Sequence, residues 1–114
     1  MFSKELLKGT LSAIILKLLS EGGKMYGYEM AQRVRELSGD RILIKDGSLY
    51  PSLQKMTEDG LVTFKEELVG GRTRKYYLIT PKGRKQATVS ISELEEFMAT
   101  ISSVVFTKTK SKMI

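Results

Sequence analysis

The feature that most constrains this chain is a change of hydrophobic period at Gly60. Before it, apolar residues recur at the three- and four-residue spacings of helices. After it come two runs rich in Val, Thr, Phe, Tyr and Ile, Leu61–Leu68 and Arg74–Ile79, which predict strands. The five residues between them, Val69-Gly70-Gly71-Arg72-Thr73, predict a glycine-containing hairpin tip. Thr80-Pro81 then supplies an N-cap and a first-turn proline for a last helix.

Upstream, about Ser3 to Ser20, the stripe Leu7, Leu11, Ile14, Ile15 and Leu18 predicts one helix, ended by Gly22-Gly23. A second helix is expected over about Tyr26 to Leu37, with Met30, Val34 and Leu37 on one face and Gly39 closing it. Arg41–Lys45, a short apolar run between Gly39-Asp40 and Asp46-Gly47, reads as a short strand. Ser48 is expected to cap a third helix, with Pro51 in its first turn, Leu49, Leu53 and Met56 facing the core, and Gly60 at its end. In the last helix Ala87, Ile91, Leu94, Met98, Ile101 and Val105 follow at spacings of 4, 3, 4, 3 and 4, a heptad-like period. Three helices followed by a two-stranded ribbon is the layout of a winged helix-turn-helix. The fold expected is therefore α+β, mostly α, with a long C-terminal helix added. Residues 1–80 would form the winged domain, and residues 81–114 a dimerisation helix with the basic tail Lys108–Lys112.

Composition narrows the chemistry. Among 114 residues there is no Cys and no His, which removes disulfide frameworks, zinc fingers, thiol nucleophiles and histidine-dependent triads. Neither a metal nor another cofactor is expected. Nineteen basic against 13 acidic residues leave +6 and a pI near 9.6, which favours an anionic partner such as nucleic acid. The longest unbroken apolar run is Ala13–Leu16, far short of the roughly 20 residues a membrane span needs. With no cleavable apolar leader in view, a cytoplasmic protein with no membrane partner is expected.

Two segments fit a duplex. The outward face of the third helix carries Tyr50, Gln54, Lys55 and Glu58 with Pro51 beside them, and Ser48 and Ser52 lie at its start. Such side chains reach bases and phosphates from a helix anchored by its apolar stripe. From Arg72 to Lys85 there are six basic residues and no acid, and the Gly70-Gly71 tip allows close approach to a phosphate. Gly71, Arg72, Thr73, Arg74 and Lys75 are the expected backbone contacts of the wing. Tyr26 opens the second helix, where a hydroxyl can meet a phosphate; Tyr28 reads equally as a core aromatic. Acidic pairs such as Glu66/Glu67 and Glu93/Glu96 lack a base or metal ligand nearby, so no enzyme is expected.

The heptad positions Ala87, Ile91, Leu94, Met98, Ile101 and Val105 read as a two-fold seam, since a helix of about 25 residues outruns a three-helix domain. The alternative is a winged-helix module that binds other proteins through this helix. Such a module does not call for six bases and no acid from residue 72 to 85.

Taken together, Tyr26-Gly27-Tyr28-Glu29, Asp46-Gly47-Ser48-Leu49-Tyr50-Pro51-Ser52-Leu53, Met56, Gly60-Leu61-Val62, Gly70-Gly71-Arg72, Arg74-Lys75-Tyr76-Tyr77, Ile79-Thr80 and Gly83 make a pattern. The chain resembles the PadR family of bacterial transcriptional regulators over about residues 6 to 106. The resemblance implies a homodimer that binds a palindromic operator in double-stranded DNA with the third helix and the wing. It implies a dimer built by the C-terminal helix together with the first helix, hence Leu7 and Leu11. It implies repression of a neighbouring gene, relieved by a small-molecule effector. By position, Tyr50 becomes the family's recognition-helix tyrosine, Tyr26 a backbone contact and Gly71-Arg72 the wing tip. Two departures stand out: a single C-terminal helix where some members carry several, and no Trp, with Leu94 and Phe97 in the stretch where some members use one.

Overall fold

The computed structural model describes residues 2–107. Among the described residues five helices and one ribbon follow in the order α1 (Lys4–Lys8), α2 (Leu11–Gly22), α3 (Gly27–Leu37), α4 (Asp46–Glu58), β1 (Val62–Val69), β2 (Arg72–Ile79) and α5 (Pro81–Val105). The winged helix-turn-helix expected from the period change is the fold observed. The Lys108–Lys112 tail lies outside the described residues.

The single helix expected over 3–20 is two helices. Gly9 is a poor helix former, and the Thr10 hydroxyl and backbone N–H both donate to the Leu7 carbonyl, at 3.0 Å each. This local bonding competes with the helical ladder and breaks it. In α2 the buried side chains are Leu11, Ile15, Leu16, Leu18 and Leu19, a wider face than the stripe predicted. α2 needs it because α4, β2 and α5 all pack on it. α3 buries Met30 and Val34, whereas Leu37 in its last turn is exposed.

Arg41–Lys45 is not a strand. The edge of β2 it would have needed is taken by Met25, whose N–H and carbonyl exchange hydrogen bonds with Tyr77 at 3.1 and 2.8 Å. The 41–45 segment crosses instead as coil, with Ile44 buried and the Ile42 N–H donating to the Ser38 hydroxyl. α4 also starts earlier than expected. The Lys45 carbonyl accepts from the N–H groups of Ser48 and Leu49, both at 2.9 Å, so Ser48 is inside the first turn and is not the cap. Pro51 is then beyond the first turn, and its missing N–H leaves without a helical donor the carbonyl of Gly47, an exposed residue that water can reach.

The hairpin is tighter than the expected five-residue tip. Gly70 and Gly71 both have positive φ, 57° and 79°, as a two-residue primed turn demands. Arg72 and Thr73 therefore belong to β2, paired with Val69 and Leu68.

α5 begins as predicted. The Thr80 hydroxyl accepts from the Gly83 N–H at 3.0 Å, and Pro81 opens the first turn. Its first turns pack on α2 and bury Gly83 and Ala87. A division at residue 80 thus cuts through the packed core. Beyond Ala87 the helix leaves that core, which makes the molecule long, 66 × 29 × 21 Å.

Candidate nucleic-acid interface

α4 is anchored as the sequence predicts. Leu49, Leu53 and Met56 are buried, and Tyr50, Pro51, Gln54, Lys55 and Glu58 are exposed. The exposed face has two unlike flanks. On one, Ser48, Pro51 and Ser52 border a groove of about 820 Å³ against α1, floored by Leu7, Leu11 and Ile44. Both serines are half-buried there. On the other flank, Tyr50 lies across the backbone of Gly27 at the start of α3 and is 45% exposed. The serines and Tyr50, expected to act together, are on opposite flanks. Between them Gln54 approaches Glu58 at 3.4 Å, and Lys55 pairs with Asp59 at 3.3 Å. Exposed i,i+4 pairs of this kind stabilise by only a few tenths of a kcal/mol, so both side chains can be recruited by a ligand.

The Tyr50–Gly27 contact depends on the absence of a side chain. A Cβ on Gly27 would come within 2.5 Å of the Tyr50 hydroxyl and 2.8 Å of its Cζ. Gly27→Ala is therefore expected to push the Tyr50 ring aside and to destabilise by about 1 kcal/mol, since the ring is 45% exposed and has room to move. In a Tyr50→Ala background the same change should be nearly neutral, a non-additivity that a double-mutant cycle by urea denaturation measures.

Tyr50 also lies beside Tyr77. Burial raises the Tyr77 phenol above its ordinary pKa, and Tyr50 adds to the rise. The Tyr77 phenol therefore stays a neutral hydrogen-bonding group at physiological pH.

The wing meets α3 through aromatic rings. Tyr26 precedes Gly27, and its N–H donates to the Glu29 carboxylate at 3.0 Å. Its ring stands edge-on to Tyr76, 5.4 Å between centroids, and the Arg74 guanidinium lies 4.4 Å over it. Tyr28 is 66% exposed, stacked near Tyr26 at 6.4 Å, and is not a core aromatic. A continuous line of contacts, Tyr50–Gly27–Tyr26–Arg74, thus joins the outward face of α4 to the ribbon.

The ribbon divides its basic residues of the 72–85 run between its two faces. Side chains alternate across a strand, so Arg72 and Arg74 share one face and Thr73 and Lys75 the other. Register also brings acids to them. Glu67 is directly opposite Arg74, and Glu66 is opposite Lys75. Lys75 also lies 4.5 Å over the Phe64 ring. Lys82 donates to the Asp59 carbonyl at 2.8 Å, and Arg84 approaches the Ser20 carbonyl at 3.5 Å. A run of 14 residues without an acid is therefore not an acid-free surface. Arg72, next to the Gly71 tip, is exposed and takes part in none of the ion pairs among the described residues.

Lys24, Tyr76 and Glu67 were not among the residues predicted. Tyr76 was legible, since alternation from a buried Tyr77 puts it beside Arg74. Lys24 was not, because only the Met25–Tyr77 bridge brings it to the ribbon.

Of the expected seam residues, Leu11 and Ala87 are buried in the chain's own core. Leu7 is half-buried over the α1 groove and Leu94 is half-buried on α5. Ile91, Met98, Ile101 and Val105 are exposed, and Phe97 and Val104 widen the stripe. No helix among the described residues is long and apolar enough to cross a membrane.

The model of the transcriptional regulator PadR-like family matches residues 15–89, which run from α2 through the wing into α5. The chain belongs to that family. A PadR-like assignment also accounts for the solved structures it resembles. A transcriptional regulator from Clostridium thermocellum is similar with a TM-score of 0.82 and 29% identity, over 90% of this chain and 99% of that one. The negative transcriptional regulator PadR of Bacillus subtilis is 31% identical over 77 residues, 67% of this chain but 42% of that protein. The structure of Bacillus subtilis PadR in complex with operator DNA is similar with a TM-score of 0.64 and 29% identity, over 71% of this chain and 46% of that one. This PadR-like chain is a transcriptional regulator of the winged-helix type.

Proposed function

We propose that this regulator binds a palindromic operator as a homodimer, with α4 reading bases and the wing holding the flanking backbone, and represses a neighbouring gene. The observation that carries the reading is the line of contacts from Tyr50 through Gly27 and Tyr26 to Arg74. It holds the exposed polar face of α4 and the ribbon at one place. A helix fixed by a buried stripe, with a basic hairpin beside it, is suited to a major groove and its adjoining phosphates. The similarity to a PadR solved with operator DNA supports the same reading.

Roles follow from position. Tyr50 and Gln54 face outward and are assigned to bases. Arg72 at the tip is assigned to a phosphate, as is Lys55 once released from Asp59. Ser48, Pro51 and Ser52 face the α1 groove and are assigned to positioning. The exposed stripe of α5 is assigned to the partner protomer, an isologous contact that sets two half-sites about one helical turn apart. Relief by a small-molecule effector is carried by the family resemblance alone.

The test is a titration onto duplexes selected from a random pool, at several salt concentrations. Arg72→Ala is expected to weaken binding to every duplex and to flatten the log–log salt slope by about one unit. Gln54→Ala is expected to weaken the selected duplex by about 1–3 kcal/mol while leaving arbitrary sequence little changed. A wild-type protein that binds no duplex at low salt would move the assignment to a protein-binding module.

A further inference from the structure

We propose that Glu67 is a specificity-determining residue: it withholds Lys24, a cation brought onto the wing, from DNA phosphates, so that arbitrary sequence is bound less tightly than the wing's basic residues alone would allow. The inference rests on the operator-binding reading and deepens it. Its basis is one face of the ribbon. Register puts Arg72, Arg74, Tyr76, Lys65 and Glu67 on that face. The Met25–Tyr77 bridge lays the preceding strand-like segment along β2, so Lys24 and Tyr26 come onto the same face. There the Lys24 ammonium crosses the Tyr76 ring, 4.7 Å from its centroid, and forms an ion pair with Glu67 Oε2. Arg74, directly opposite Glu67, lies over Tyr26.

Lys24 is therefore already answered within the protomer. Lys24 holds a carboxylate, and Arg74 lies over the Tyr26 ring. The Glu67 side chain is 35% exposed, so its charge also faces whatever approaches the wing. A phosphate seeking Lys24 must displace Glu67. The hydrogen bond to Glu67 is also the largest cause that raises the Lys24 pKa, in keeping with a cation stabilised by its partner. Glu66 is a natural control. It carries the same charge one residue away but points to the other face, opposite Lys75, and takes part in none of the ion pairs among the described residues. Specificity is a difference of affinities, and weakening the competitor raises it as surely as strengthening the target.

The experiment uses the full chain and a duplex of random sequence, with fluorescence anisotropy across a range of salt. Glu67→Gln is expected to steepen the log–log salt slope by about 0.9, one added phosphate, and to tighten binding about fivefold at low salt. Glu66→Gln, with the same change in net charge, is expected to leave the slope unchanged. Lys24→Met is expected to leave the wild-type slope unchanged too, because Lys24 holds Glu67 and not a phosphate; this variant tests the proposal even if Glu67→Gln folds poorly. An unmoved slope in Glu67→Gln, an equal shift in Glu66→Gln, or a slope flattened by Lys24→Met overturns the proposal while operator binding stands. Wild-type protein that binds neither the random duplex nor a selected one overturns the operator reading itself.

Discussion

Gly83→Ala is expected to lower the unfolding free energy by about 3 kcal/mol or more, the largest loss of stability from any glycine change in this chain. A Cβ at this position would overlap the Leu61 carbonyl oxygen and stand 2.7 Å from Ile79 Cγ1 and 3.0 Å from the Leu61 carbonyl carbon. The obstacle is backbone and cannot rotate away. It is also pinned: the Thr80 N–H donates to the Leu61 carbonyl at 3.1 Å, and the Thr80 hydroxyl lies within bonding distance of both the Gly60 and Leu61 carbonyls. Relief would require α5 to back away, which breaks the cap and uncovers Ala87 from the core. Urea denaturation reads the loss. Gly47→Ala serves as a control, because a Cβ there meets nothing within 4 Å and the residue is in the first turn of α4. That change is expected to be neutral or stabilising by up to about 1 kcal/mol. Equal midpoints for Gly83→Ala and wild type would mean that α5 does not start against the turn after α4.

The second large effect is expected from Ile101→Glu, which should turn a dimer into a monomer of 12.8 kDa in sedimentation velocity at about 10 μM. From Ile91 onward α5 carries an exposed apolar stripe that the protomer does not cover, with Phe97, Met98, Ile101 and Val104 at its centre. A carboxylate at the middle of such a seam must be desolvated without a partner, which costs several kcal/mol. Within one protomer Ile101 is exposed, so the substitution leaves the folded chain intact. Two linked half-sites bind far more tightly than one, so operator affinity should fall by about 10²-fold or more along with the dimer. A wild-type chain that sediments as a monomer at this concentration would remove the seam and the two-fold operator together.

The elements that could be read in advance are those specified by neighbours in the chain. The Leu49, Leu53, Met56 stripe, the Thr80-Pro81 start of α5 and the glycine turn between strands each follow from residues three or four apart. Local signals are overridden where they meet a competitor. Gly9-Thr10 broke a continuous apolar stripe through a side-chain bond to Leu7. Ser48 is a good capping residue, but the Lys45 carbonyl had already begun the helix. Arg41–Lys45 has the composition of a strand and no free edge to join.

The candidate site divides in the same way. Sequence alone determined that a polar, tyrosine-bearing helix is followed by a basic, glycine-tipped hairpin and then by a long heptad helix, because periodicity and turn chemistry are local properties of the chain. Only the tertiary structure decided which of those charges are free. Strand register set Glu67 against Arg74 and Glu66 against Lys75, and one bridge at Met25 carried Lys24 and Tyr26 onto the wing. Leu11 and Ala87 look like seam residues in the heptad and helical patterns, yet the packing of α2 on α5 buries them within one protomer. Pairing across a sheet and packing between helices join residues far apart in sequence, and no local period carries that information.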